Sequence, residues 1–181
     1  IYITACGTSW HAALIGKHLI EEYSQIPVHV EYASEFRYRN AVIDAETVLF
    51  AISQSGETAD TLKALEYREK SFSLLMALCN EKDSTLARKC KYTLPIGAKK
   101  EVSVCSTKAF TGQLLNLYLL GIFFAKIRGK DVSEEIKEIK NIPFAIDAIL
   151  AKEETIKSFA KKYHTSPFFF FTGRRSMYPV S

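Results

Sequence analysis

Four cysteines are all that this 181-residue chain contains, at positions 6, 79, 90 and 105, and no two form a CxxC pair or stand at metal-ligand spacing. Three of them end or flank apolar, strand-like runs, so small buried thiols in a reducing compartment are expected, not disulfides. The four histidines are scattered as well. His11 and His18 can share a helical face, but no carboxylate or thiolate lies at ligand spacing, so neither a metal nor a cofactor is called for. A large charge excess is missing too: the net charge is +4, and the basic clusters "AKKE", "KKYH" and "GRR" lie far apart. Without aromatic residues interleaved among them, they read as solvated faces and argue against a nucleic-acid surface. Nor is there a long hydrophobic run. The longest, Leu114 to Ala125, is interrupted by Asn116 and Tyr118, reads as too short for a bilayer, and predicts a helix buried in the core or against a partner subunit. The opening "IYITAC" carries no charged leader, so the expectation is a cytosolic protein without a membrane partner.

What is present is 48% apolar sequence in a regular alternation. Strand-like runs fall at Ile1–Cys6, Val28–Tyr32, Val48–Ser53, Leu74–Cys79 and Tyr92–Ile96. Helical patterns separate them, near Ser9–Tyr23, Ser34–Arg39, Thr58–Lys70, Ser84–Lys89 and Thr107–Arg128. Five short strands with helix-length spacers predict an α/β three-layer sandwich, a five-stranded parallel sheet flanked by helices. After Gly129 the pattern changes to amphipathic helix from Asp131 to Tyr163, with a break expected near Pro143. The closing "TSPFFFFTGRRSMYPVS" then repeats the strand–Gly–Ser opening of "ITACGTSWHAA". The expected division is a first domain at 1–129, a helical linker at 130–165, and the first strand of a second, repeated domain at 166–181.

In an open parallel sheet, ligands bind beyond the carboxyl ends of the strands. Three loops rich in small polar residues are candidates: Cys6–His11, Ser53–Thr61 and Glu101–Phe110. No Walker A or dinucleotide fingerprint fits any of them, which disfavours nucleotide phosphates held by a lysine. What remains is a helix mouth surrounded by Ser53, Ser55 and Thr58, with free N–H groups and a helix dipole to attract an anion. Gly56 lets the backbone come close. Hydrogen bonds to a charged ligand contribute about 1.5–3 kcal/mol each, so three or four can hold a phosphate monoester. Glu57 repels an anion if it turns inward, so it is expected to point away. The plain alternative is that these residues are turn formers and an N-cap; likewise Ser106 and Thr107 can cap the long helix, and Thr8 and Ser9 the first. Capping and binding are compatible. Glu101 and His11 read as structural or orienting residues.

Together, "ACGTSWHA", "ASEFRYR", "SQSGETADT" and "VCSTKAFT" make the chain similar to the glucosamine-6-phosphate synthases, specifically to the first sugar-isomerase (SIS) domain of their isomerase half. "SQSGET" alone points to the broader sugar-isomerase domain family; "ASEFRYR" and "STKAFT" narrow it. That family makes glucosamine 6-phosphate and glutamate from fructose 6-phosphate and glutamine. The resemblance implies that Ser53, Gln54, Ser55 and Thr58 hold the sugar phosphate, that Thr8 and Ser9 line the same pocket, and that Val104 and Ser106 contact the sugar. It also implies a homodimer. The family's glutaminase cysteine, its proton-shuttling glutamate and histidine and its imine-forming lysine have no counterparts among these residues, so the chain is expected to bind a phosphosugar without turning it over. The competing expectations are a phosphosugar-sensing domain of a regulator and a simple aldose–ketose phosphosugar isomerase.

Overall fold

The computed structural model describes residues 1–102 and 106–181, and of Arg68 the backbone only. Its elements run β1 (Tyr2–Ala5), α1 (Gly7–Ser24), β2 (His29–Tyr32), α2 (Ala33–Phe36), β3 (Val48–Ser53), α3 (Ala59–Arg68), β4 (Leu74–Cys79), α4 (Thr85–Lys89), β5 (Tyr92–Pro95), α5 (Lys108–Ile127), α6 (Ser133–Leu150) and α7 (Glu153–Tyr163). The five strands form one parallel sheet in the order β2-β1-β3-β4-β5. That is the α/β architecture expected.

The central strands are apolar along their whole length because both faces are covered, as a parallel sheet requires. Alternate residues go to opposite sides. Leu49, Ala51, Ala77 and Cys79 pack toward Phe36, Ala64, Leu65 and Leu86 of α2, α3 and α4. Phe50, Ile52 and Leu78 pack toward Ala12, Ala13, Ile20, Ala109 and Leu117 of α1 and α5. The two long helices lie very close: a methyl group on Gly16 of α1 would come to 2.7 Å of the Leu117 side chain on α5. That approach buries one face of α5 in the core. With twenty residues, and a mean hydropathy of 1.4 over an 18-residue stretch, it is long and apolar enough to cross a membrane, so the shortness read from Leu114–Ala125 is corrected; its buried face packs on α1.

Two other expectations change. The linker helix does not break at Pro143: α6 runs through it to Leu150, and the chain turns at Ala151 and Lys152 instead. Proline removes one hydrogen bond and crowds one carbonyl, which a helix with good formers on both sides tolerates. Residues 166–181 contain no strand; Phe168 to Phe171 are exposed, and the only regular piece is a 3₁₀ turn at Arg175–Met177. Strand formers with no neighbour to complete the hydrogen-bond ladder remain unpaired. The 3₁₀ turn sits alongside α1, where Arg175 forms an ion pair with Glu22 at 3.6 Å.

Candidate functional site

The strand order reverses direction between β1 and β3, which neighbour each other although β2 intervenes in sequence. This is the switch point where the loops leaving two adjacent strands diverge and open a crevice. β1 passes through Cys6 straight into the first turn of α1, which carries Thr8 and Ser9, and the loop after β3 is Gln54–Thr58. Both hydroxyl-rich segments therefore emerge side by side.

The second loop is a tight turn shaped by its own serines. Gly56 N–H donates to Ser53 Oγ at 3.0 Å, and Glu57 N–H donates to Ser55 Oγ at 3.2 Å. Ser53 Oγ and Thr58 Oγ1 are 3.1 Å apart. Gly56 takes φ +66°, and a methyl group there would collide with Ser84 Oγ and come to 2.7 Å of Cys79 Sγ. Thr58 is the N-cap of α3, but its side chain caps nothing. Among the described residues the N-cap side chain thus leaves the first-turn N–H groups of α3 open, as an anion site at a helix start requires. Ser53 is buried, while Gln54, Ser55 and Thr58 are half-exposed around it. Glu57 does point away: its Oε1 accepts from Thr85 N–H at 2.7 Å at the start of α4. That bond, with Arg88 nearby, holds its carboxyl below the ordinary carboxylate value.

The first loop is finished differently from the expectation. Cys6, not Thr8 or Ser9, is the N-cap of α1, and its side chain caps nothing; the Gly7 N–H donates instead to Tyr32 Oη at 3.3 Å. Ser9 is buried and is linked to Gln113 of α5, Oγ to Nε2, at 2.9 Å. Thr8 is exposed and lines a hollow of about 310 Å³ with His11, Ser106, Phe110 and the terminal Pro179, Val180 and Ser181. Thr8 and Ser106 are thus brought together, because α5 starts beside the start of α1. Ser106 and Thr107 do not cap α5 with their own oxygens. Instead Glu101 accepts from Thr107 N–H (3.1 Å), Ala109 N–H (3.3 Å), Thr107 Oγ1 (3.3 Å) and Ser106 Oγ (3.1 Å). These donors, the Thr107 N–H first, lower its carboxyl pKa. Val104 lies outside the described residues.

Several residues with structural duties around these loops were not singled out from sequence. Asn80 joins the second loop to the segment just before the third: its N–H donates to Gln54 O (3.2 Å), its Nδ2 to Lys99 O (2.7 Å), and its Oδ1 accepts from Ala98 N–H (2.9 Å). Gln113 is the buried partner of Ser9, and Ser84 sits beneath Gly56. The available signal was position: Asn80 directly follows β4, and Gln113 is a polar residue at a buried position of an apolar helix. An apolar cavity of about 360 Å³, lined by Ile1, Ile3, Phe50, Met76 and Phe124 among others, opens at the opposite, amino end of the strands and shares no residue with these loops.

Comparison with known proteins fits this geometry. The chain is 42% identical over 186 residues to glutamine–fructose-6-phosphate aminotransferase (isomerizing) of Chlorobaculum tepidum and 43% identical over 185 residues to that of Clostridium tetani, covering 100% of this chain in each case. It spans only 30% of the length of each of those relatives. It superposes on the C-terminal domain of glucosamine-fructose-6-phosphate aminotransferase from Francisella tularensis with a TM-score of 0.93 and 36% identity, over 99% of this chain and 52% of that one. Residues 1–123, which carry the sheet and all three loops, match the SIS domain family. The doubly covered parallel sheet, the hydroxyl-lined turn at its switch point and this match together place the chain in the SIS domain family.

Proposed function

We propose that this chain is the phosphosugar-binding first SIS domain of a glutamine–fructose-6-phosphate aminotransferase, with the Ser53–Thr58 turn as its phosphate cradle. The observation that carries the reading is that turn: Ser55 and Thr58 stand half-exposed beside an uncapped helix start, and the one carboxylate of the turn is held elsewhere. A dianionic ester there meets N–H and O–H donors, the positive end of α3 and no unpaired negative charge. Ser53, Gln54, Ser55 and Thr58 hold the phosphate, Thr8 and Ser9 line the same pocket, and Val104 and Ser106 contact the sugar. Fructose 6-phosphate or glucosamine 6-phosphate is the ligand. The full protein aminates and isomerizes the sugar in the cytoplasm. The 181-residue chain supplies binding without turnover, since no residue of it matches the family's proton-shuttling glutamate and histidine or its imine-forming lysine.

The division into a first domain at 1–129, a linker at 130–165 and the start of a second SIS domain at 166–181 belongs to this reading, as does a homodimer. Support for the dimer comes from the outer face of α5, where Leu119, Phe123 and Ile127 are exposed. The site assignment is tested by calorimetric titration of fructose 6-phosphate, glucose 6-phosphate and unphosphorylated fructose into the wild-type chain and Ser55→Ala. The phosphate esters should bind more tightly than fructose, and Ser55→Ala should erase about tenfold of their affinity. Equal weak binding of all three sugars would remove the cradle.

A further inference from the structure

We infer that Glu57 is a positioning residue of the phosphosugar site: parked on the Thr85 N–H, it latches the Ser53–Thr58 turn to α4 and keeps its own charge out of the mouth. This deepens the phosphosugar reading and rests on it. The turn is held from the β4–α4 side at several points. Asn80 N–H donates to Gln54 O at 3.2 Å, and Leu86 N–H donates to Gly56 O at 3.0 Å. Ser84 Oγ and Cys79 Sγ, 3.4 Å apart, form the floor under Gly56.

Glu57 is the one side-chain latch from the turn to the start of α4, and it is the only acidic residue between Ser53 and Ala59. It stands two residues from Ser55 and next to Thr58. A carboxylate released there would face the same opening as the dianion and repel it. Held on the Thr85 N–H at 2.7 Å, the carboxylate keeps its charge at the start of α4, and Arg88 draws it the same way. The depressed carboxyl pKa follows from that bond. The acidic residue thus braces the anion site and does not oppose it.

Charge and latch can be separated by substitution. Glu57→Asp keeps the charge but is one methylene too short for Thr85. Glu57→Gln keeps an oxygen acceptor and loses the charge. Thr85→Pro deletes the N–H donor together with the Thr85 hydroxyl, which also bonds Glu57 and accepts from Arg88 Nη2 at 3.1 Å. Thr85→Val, which keeps the N–H and lacks the hydroxyl, is therefore its control. Thr85 is the first helical residue of α4, where proline is tolerated, and Ser84 before it is already extended at φ −69°, ψ 162°. Each variant, and the double variant Glu57→Gln/Thr85→Pro, is titrated with fructose 6-phosphate and with unphosphorylated fructose, its fold checked by thermal melting. Glu57→Asp and Thr85→Pro should each weaken the phosphate ester about tenfold and leave fructose unchanged. Glu57→Gln should stay within about twofold of wild type, and the double variant should recover most of the loss from Thr85→Pro. Wild-type affinity in both Glu57→Asp and Thr85→Pro, or a loss in Glu57→Gln as large as in Glu57→Asp, would overturn the inference. If Thr85→Pro does not fold, the Asp and Gln pair decides. A Ser55→Ala chain that loses ester affinity while the Glu57→Asp chain does not would sink this inference alone. No preference for phosphate esters in the wild type would sink the reading beneath it as well.

Discussion

At the scale of single residues, the turn after β3 is constrained by geometry that few side chains satisfy. Gly56 combines φ +66° with an absence of room, so Gly56→Ala should destabilise the chain by about 2 kcal/mol or more. A shift in the urea midpoint measures it, and an unchanged midpoint would mean that the turn is not packed against Ser84 as described. The two helix-capping carboxylates set the acid limit. Glu57 and Glu101 both titrate below the ordinary 4.5 because N–H groups of Thr85 and Thr107 bond their ionised forms. A carboxyl lowered in the folded state gives stability that is complete above its unfolded pKa and lost as pH falls through the lower folded value. Denaturation midpoints should therefore fall below pH 4.5, and the double substitution Glu57→Gln/Glu101→Gln should flatten that fall. Cys90 acts at the other end: burial pushes its thiol up to about 11 from 9.0, so the folded state holds that proton and its contribution fades as pH rises from 9 through 11. Alkylation at pH 8 should spare Cys90 until the chain unfolds.

Elements were more legible than caps. β3 and β4 coincide with the apolar runs Val48–Ser53 and Leu74–Cys79, because a strand buried on both faces announces itself as a continuous hydrophobic segment. The site loops were legible for a related reason: small polar residues directly after such strands mark the carboxyl edge of the sheet. Ser84 was legible as the local cap of α4, where its Oγ accepts from Ala87 N–H at 3.3 Å, but the carboxylates that bond helix starts from farther along the chain were not. Glu101 reaches to α5 and Glu57 to α4, and nothing local in "STKAF" or "DSTLA" reveals it. Gln113 was hidden for the opposite reason: its partner Ser9 is 104 residues away. The α1–α5 contact gives a prediction at this scale. Leu117→Ala should cost about 3 kcal/mol, while Gly16→Ala should be destabilising alone and much less so in the Leu117→Ala background, where the colliding side chain is gone. Additive losses in a double-mutant cycle would contradict the close approach.

At the scale of the whole molecule, the sheet and its five flanking helices hold almost all of the core, and α6 and α7 contain no buried residue. Amides in α6 and α7 should exchange with deuterium orders of magnitude faster than those of β3, because opening them uncovers little apolar surface. Equal protection would show that the linker is packed in solution. The run Phe168 to Phe171 is exposed together with Leu119 and Phe123, so the chain should self-associate through apolar surface and Phe170→Asp should shift the light-scattering mass toward the monomer. The most direct measurement of the central claim is a crystal of the chain soaked in fructose 6-phosphate. The phosphate should lie within hydrogen-bond distance of Ser55 Oγ, Thr58 Oγ1 and the first-turn amides of α3, with Glu57 still on Thr85. Phosphate density lodged away from that turn would contradict the account.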